Sequence, residues 1–195
     1  MERNVVTADK KRTRKLTTFA MLAAISAILG LTPLGIIPIP PVGATIMHIP
    51  VIITAILEGP VLGALMGLVF GIISFVNAII RPTPISFVAM NPLVSIAPRI
   101  LIGIVAYYVY KGLPLKNETV KIGSAAAIGT LMNTVGFLGM IYLLYAEPVA
   151  KALGQKVDTI GKFLLALGTT HGIPEIGVAV VITIPIVFAV KKIRR

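Results

Sequence analysis

The sequence predicts an all-α membrane protein, a single domain of six transmembrane helices with both termini cytoplasmic. Three observations carry this. Apolar residues make up 56% of the chain against 13% charged, with a mean hydropathy of +0.96, a balance foreign to soluble domains. The apolar residues fall into runs separated by short polar or proline-rich segments, as successive spans do. The basic residues are grouped: six lie in the first 15 residues, three between Lys111 and Lys121 and four after residue 190, so 13 of the 18 Lys and Arg share one face. That grouping puts both ends inside and ties the net charge of +11 to the membrane surface rather than to nucleic acid. The chain has no cysteine, which excludes a disulfide framework, a thiolate metal site and a cysteine nucleophile.

Taken in order, residues 1–15 read as a basic cytoplasmic arm or interfacial turn. The first span covers about residues 16–37, too long for a signal peptide and followed by several more. Its small residues lie four apart, Ala20 with Ala24 and Ala23 with Ala27, giving a flat strip for another helix of this chain or of a partner. Pro38 to Thr45 cannot continue a helix and forms a stiff outer loop that could serve as a lid. The second span, about 47–58, is short for a membrane and so needs protein or a cavity around it. His48 opens it, either bonded to loop backbone or in contact with a ligand. After Gly59-Pro60, the third span, about 60–80, carries Gly63, Gly67 and Gly71, a strong packing signal. Asn77 closes it before the proline-stiffened loop Arg81 to Pro84.

The fourth span, about 92–110, follows Asn91, a further candidate for contact with a ligand, and contains Arg99. An arginine inside a span costs about 2.5 to 3.5 kcal/mol on insertion scales, so it must face a cavity, a counter-ion or a ligand. The fifth span, about 122–145, holds Asn133, residues 146–162 form a polar outer segment, and the sixth span covers about 163–190. That last span includes His171 and Glu175, four apart and therefore on one helical face.

Depth groups these residues. Arg99 is 12 residues from Lys111 and Asn133 is 12 from Lys121, about 18 Å above the cytoplasmic ends at 1.5 Å per residue. Glu175 and Asn77 come out higher still, about 24 Å up by the same rise. The polar groups share the outer half, which predicts a pocket open to the outside and sealed below by apolar packing. Within it, Arg99 and Glu175 either pair with each other or bind separate ends of a polar ligand. A metal held by His171 and Glu175 has too few ligands, since His48 is the one other histidine.

The chemistry that is missing narrows the function. No P-loop, no H-E-x-x-H and no poised serine, histidine and carboxylate set occurs, so neither ATP hydrolysis nor a membrane enzyme has support in the residues. The halves do not repeat, and 195 residues are few for an autonomous transporter. A pocket without an energy source implies a partner.

Together, the alanine-rich first helix, the Pro-Ile-Pro-Pro-Val-Gly-Ala-Thr-Ile loop, His48-Ile-Pro-Val-Ile, Gly59-Pro60 with its glycine array, Pro98-Arg99-Ile-Leu-Ile-Gly and Gly172-Ile-Pro-Glu175 resemble the substrate-binding S-components of energy-coupling factor (ECF) vitamin transporters. The resemblance covers nearly the whole chain. It implies an S-component-like bundle in the bacterial plasma membrane that takes up a vitamin from outside and needs no cofactor. It also implies partnership with a transmembrane T-component and two ABC ATPase subunits, and docking through Ala20 and Ala24, or Ala23 and Ala27 in the other register. The Thr-Ile-x-His-Ile-Pro, Pro-Arg and Gly-x-Pro-Glu combination is most similar to pantothenate S-components, with riboflavin and hydroxymethylpyrimidine or pyridoxine types as alternatives. A pantothenate carboxylate would suit Arg99, and its hydroxyls and amide would suit Asn77, Asn133, His171 and Glu175. The absence of tryptophan weighs against riboflavin.

Overall fold

The computed structural model describes residues 2–39, 42–83 and 85–194. Pro40 and Pro41 of the expected outer loop, Pro84 of the second loop and the terminal Arg195 lie outside the described residues. The first helix, α1, runs Glu2–Leu31. Its helical backbone extends through the basic stretch expected to form an arm or turn, and it stops before residue 37. Thr32-Pro33 ends it, because proline disfavours helical backbone in the residue before it. A 3-10 turn, Pro33–Gly35, then leads into an antiparallel hairpin of β1, Ile36–Ile39, and β2, Val42–Thr45, with Ile36 opposite Thr45. The expected irregular loop is therefore a small ribbon on an otherwise helical chain, in keeping with its Ile and Val content.

Helix α2, Ile49–Glu58, joins α3, Pro60–Ile80, through Gly59, whose φ of 100° is a conformation that glycine adopts freely. One turn of helix, α4 at Ser86–Ala89, precedes α5, Pro92–Gly112, and Asn91 caps α5 by accepting from the Leu93 N–H at 2.9 Å. Asn117 caps α6, Glu118–Ala152, in the same way. A 3-10 turn at Val157–Thr159 leads into α7, Ile160–Ile193. The helical backbone of α6 passes the expected end of the fifth span, but it kinks there, with Tyr145 at φ −137° and ψ 19°. Pro148 is the cause: it offers no N–H to the Leu144 carbonyl, and its ring crowds the preceding turn.

Helices α1, α3, α5, α6 and α7 are each long and apolar enough to cross a membrane. Helix α2, at ten residues, is not. It survives at membrane depth because protein surrounds it: Val51, Ile52 and Ala55 are fully buried in a core shared with Met66, Ile102, Ala106, Ile122, Ala126, Ala179 and Val187. Large apolar side chains such as Val61, Leu143, Leu165 and Val181 instead point outward, the arrangement a bilayer solvates.

The glycine array seats α3 on α5. A Cβ on Gly67 would fall on the Arg99 carbonyl oxygen, and one on Gly71 would lie 2.8 Å from the Ile96 Cα, while Gly63 and Gly103 face each other backbone to backbone. Only glycine permits this approach. At the cytoplasmic ends, ion pairs close the bundle. Arg194 at the end of α7 pairs with the buried Glu58 carboxylate and donates to Thr18 of α1, and Lys191 pairs with Glu118, which also accepts from Tyr110.

Gly67→Ala is expected to force α3 from α5 and lower stability in detergent by about 1–3 kcal/mol. Gly177→Ala, where a Cβ meets nothing within 4 Å, should leave the thermal midpoint unchanged or slightly raised.

Candidate ligand-binding cavity

In α5, Pro98 has no N–H for the Val94 carbonyl, so one backbone acceptor is left open within a buried helix. Arg99 closes that gap. Helical side chains lean toward the N-terminus, and the Arg99 guanidinium turns back to donate from Nη1 to the Val94 oxygen at 2.8 Å. The side chain is 6% exposed and its Cζ sits 4.4 Å from the centre of the Phe137 ring and 5.7 Å from that of Phe70, within cation–π range. Its Nε has no partner among the described residues.

Arg99 lines a cavity of about 370 Å³ in the outer half of the bundle. Each neighbouring helix contributes one face to it. Phe70, Ser74 and Asn77 come from α3; Asn133, Thr134, Phe137 and Leu138 from α6; and Leu167, His171 and Glu175 from α7. Thr45 and Met47, following the hairpin, and Ile85 complete the wall. Glu175 is buried and holds the end of β2: its Oε1 accepts from the Thr45 N–H at 2.9 Å and from the Thr45 hydroxyl at 2.7 Å. The Asn133 Oδ1 is buried without a partner among the described residues. Buried polar atoms are rarely left so, and a cavity wall is where a ligand can satisfy them.

Five of the seven residues expected at the site are thus brought together: Arg99, Asn133, His171, Glu175 and Asn77. The other two are placed elsewhere. His48 is fully buried outside the cavity, with Nε2 2.9 Å from the Thr130 hydroxyl of α6, so its side chain neither bonds the loop backbone nor lines the cavity. Asn91 spends its oxygen on the α5 cap and donates from Nδ2 to the Tyr145 hydroxyl at 2.9 Å. Arg99 and Glu175 share the cavity without forming an ion pair; the ion pairs among the described residues are Glu58–Arg194, Glu118–Lys191 and Glu147–Lys151. No group of three or more potential metal ligands occurs among the described residues.

Sequence reasoning missed Thr45, Met47, Phe70, Ser74, Ile85, Thr134, Phe137, Leu138 and Leu167. A helical signal for most of them was present. Phe70, Ser74 and Asn77 recur at the spacing of one α3 face, Asn133 and Phe137 are one turn apart, and Leu167, His171 and Glu175 repeat every fourth residue. Reading outward from each polar residue by three and four would have found the apolar lining. Thr45, Met47 and Ile85 lie off the long helices and carry no such periodicity.

The small-residue strip on α1 also resolves into two faces. Ala20 and Ala24 are exposed alongside Met21, Ile25 and Ile28, whereas Ala23 packs on the core and Ala27 is half-buried.

Among known proteins, a family model described as the substrate-specific component of ECF transporters matches residues 14–187. A protein named pantothenic acid transporter PanT, from Lactococcus lactis subsp. cremoris, is 37% identical over 168 residues, covering 79% of this chain and 81% of that protein. A pantothenate transporter PanT from Leuconostoc mesenteroides is 34% identical over 139 residues, covering 66% of this chain and 67% of its own.

Because His48 is bonded inside the bundle and away from the cavity, His48→Ala should cost about 1–3 kcal/mol of stability through the lost buried bond to Thr130, whose hydroxyl keeps its own bond to the Ala126 carbonyl, and through the void left in the core. Ligand affinity of the folded fraction, measured by calorimetry below its melting temperature, should not change.

Proposed function

This chain belongs to the family of ECF transporter substrate-specific components, and from that premise we propose that it captures pantothenate from the outer side of the membrane. As a family member it is a multi-pass protein of the bacterial plasma membrane, a transport component rather than an enzyme, which works with ECF T and ATPase components. The vitamin, the roles of the cavity residues and the docking face are our reading.

The observation that carries it is Arg99, a buried cation on the cavity wall with no carboxylate partner among the described residues and an uncommitted Nε. A ligand carboxylate supplies the missing anion, and at so buried a guanidinium a charge-assisted pair counts for more than it would in water. The Asn133 oxygen takes a donor from the ligand, an amide N–H or a hydroxyl. Glu175, with one oxygen committed to Thr45, and His171 bond the hydroxyl end. Phe70 and Phe137 hold the guanidinium in place and exclude water beside it. The cavity volume suits a small polar acid. Two relatives named as pantothenate transporters support the same reading.

ATP is hydrolysed by two partner ATPase subunits, and the T-component meets this chain on the exposed face of α1. Ala20 and Ala24 are the contact pair, because the alternative pair Ala23 and Ala27 turns toward the protein's own interior. Apart from the transporter, the chain is expected to bind vitamin unaided.

Calorimetry of the purified chain with pantothenate, riboflavin and pyridoxine tests the assignment: tight binding of pantothenate alone is expected, and preference for either other vitamin would replace it. Arg99→Ala should weaken pantothenate binding at least tenfold, about 1.4 kcal/mol. Ala20→Trp and Ala24→Trp should abolish complex formation and uptake in proteoliposomes while leaving vitamin binding intact; loss of binding in both would remove the separate docking face.

A further inference from the structure

A second cavity, also about 370 Å³, lies on the outer side of the first and shares Met47, Ser74, Asn77, Ile85 and Phe137 with it. Its remaining lining comes from the outer ends of the chain's elements, including Thr32, Pro33 and Thr83, and it contains one cation, Arg81. Among the described residues, no acidic side chain lines it. Arg81 is exposed and donates from Nη2 to the Leu31 carbonyl at 2.9 Å, with no other hydrogen-bond partner for its guanidinium among the described residues. From Arg81, the α3 side chains Asn77, Ser74 and Phe70 follow at helical spacing down to Arg99. A stripe along α3, polar from Arg81 through Asn77 to Ser74 and closed by Phe70, therefore runs from the mouth of the bundle to the buried cation of α5.

We infer that the outer cavity is an anion-receiving vestibule, in which Arg81 makes first contact with the carboxylate of an acidic vitamin before Arg99 takes it over. This rests on the proposed function and adds to it a subsite that acts on arrival rather than on residence. An exposed charge in a concave mouth raises the rate of encounter with an oppositely charged solute, and salt screens the effect. A buried charge that is fully desolvated in the complex acts instead on dissociation. The two arginines are thus assigned to different rate constants.

The test is the association and dissociation rates of radiolabelled pantothenate on the detergent-purified chain, by rapid filtration at about 20 mM and about 500 mM salt, where the screening length shrinks several-fold. Arg81→Gln is expected to slow association at least threefold at low salt, to leave dissociation within twofold, and to match the unaltered chain at high salt. Arg81→Lys should keep the fast association, which separates the charge from the bond that the guanidinium makes to Leu31. Equal association rates at low salt would overturn the vestibule and leave the proposed function standing. Equal slowing by Gln and Lys would also overturn it, assigning Arg81 to holding the end of α1. An unaltered chain that binds no pantothenate would overturn the proposed function and this inference with it.

Discussion

One missing hydrogen in α5 constrains the outer half of this protein. Proline at position 98 deprives the Val94 carbonyl of its helical donor, and Val94 is fully buried, so the acceptor needs a partner from within the protein. The guanidinium of the next residue supplies the donor, and in doing so is drawn against the helix and held over Phe137. The arginine that looks anomalous in the sequence thus repairs the fault beside it. Having satisfied the backbone with one nitrogen, it still carries its full charge into the cavity. A lysine would bring a charge and a donor as well, but its ammonium has neither the fork of donors that lets arginine bond the backbone and present further N–H groups in a fixed plane nor the flat face that stacks on an aromatic ring.

Everything around that arginine depends on how closely α3 approaches α5. The Gly63, Gly67 and Gly71 edge lets the two backbones touch, and this contact brings Phe70, Ser74 and Asn77 to the same wall as Arg99. Below, the short α2 is enclosed by apolar side chains, and the cytoplasmic mouth is closed by Glu58 with Arg194 and Glu118 with Lys191. The polar lining of the cavity lies above this floor, and two ion pairs below it join helix ends. The division between a sealed inner half and an open outer half follows from these two packings.

Much of this was legible in the sequence, and where it was not there is a physical reason. Arg99, Asn133, His171, Glu175 and Asn77 could be assigned to one cavity because depth along a helix is fixed by residue count, and polar residues at one depth tend to meet. The pairing of helices α3 and α5 was foreshadowed by GxxxG spacing. His48 was ambiguous because hydropathy does not tell whether a polar residue faces a ligand or a neighbouring hydroxyl, and its partner Thr130 is 82 positions away. The hairpin was unreadable as such because proline-rich loops and short ribbons share a composition. Likewise the basic stretch at the start reads as a surface arm by charge, yet its backbone simply continues the helix. The bond between Glu175 and Thr45 joins residues 130 apart, a proximity that local spacing cannot reveal.

The outer end of α1 is held by α3 in two places: Asn77 donates to the Gly30 carbonyl and Arg81 to that of Leu31, the last carbonyls of a helix that has no further turn to receive them. Asn77 also lines the cavity wall beside Arg99, and α1 carries the exposed Ala20 and Ala24 on its other side. One amide is therefore common to the cavity wall and to the element that carries the exposed alanine face. A group that filled the cavity and drew on that amide would compete with the Gly30 carbonyl for its hydrogens, so the hold on the end of α1 and the filling of the cavity would trade against each other, and such a trade runs equally in both directions.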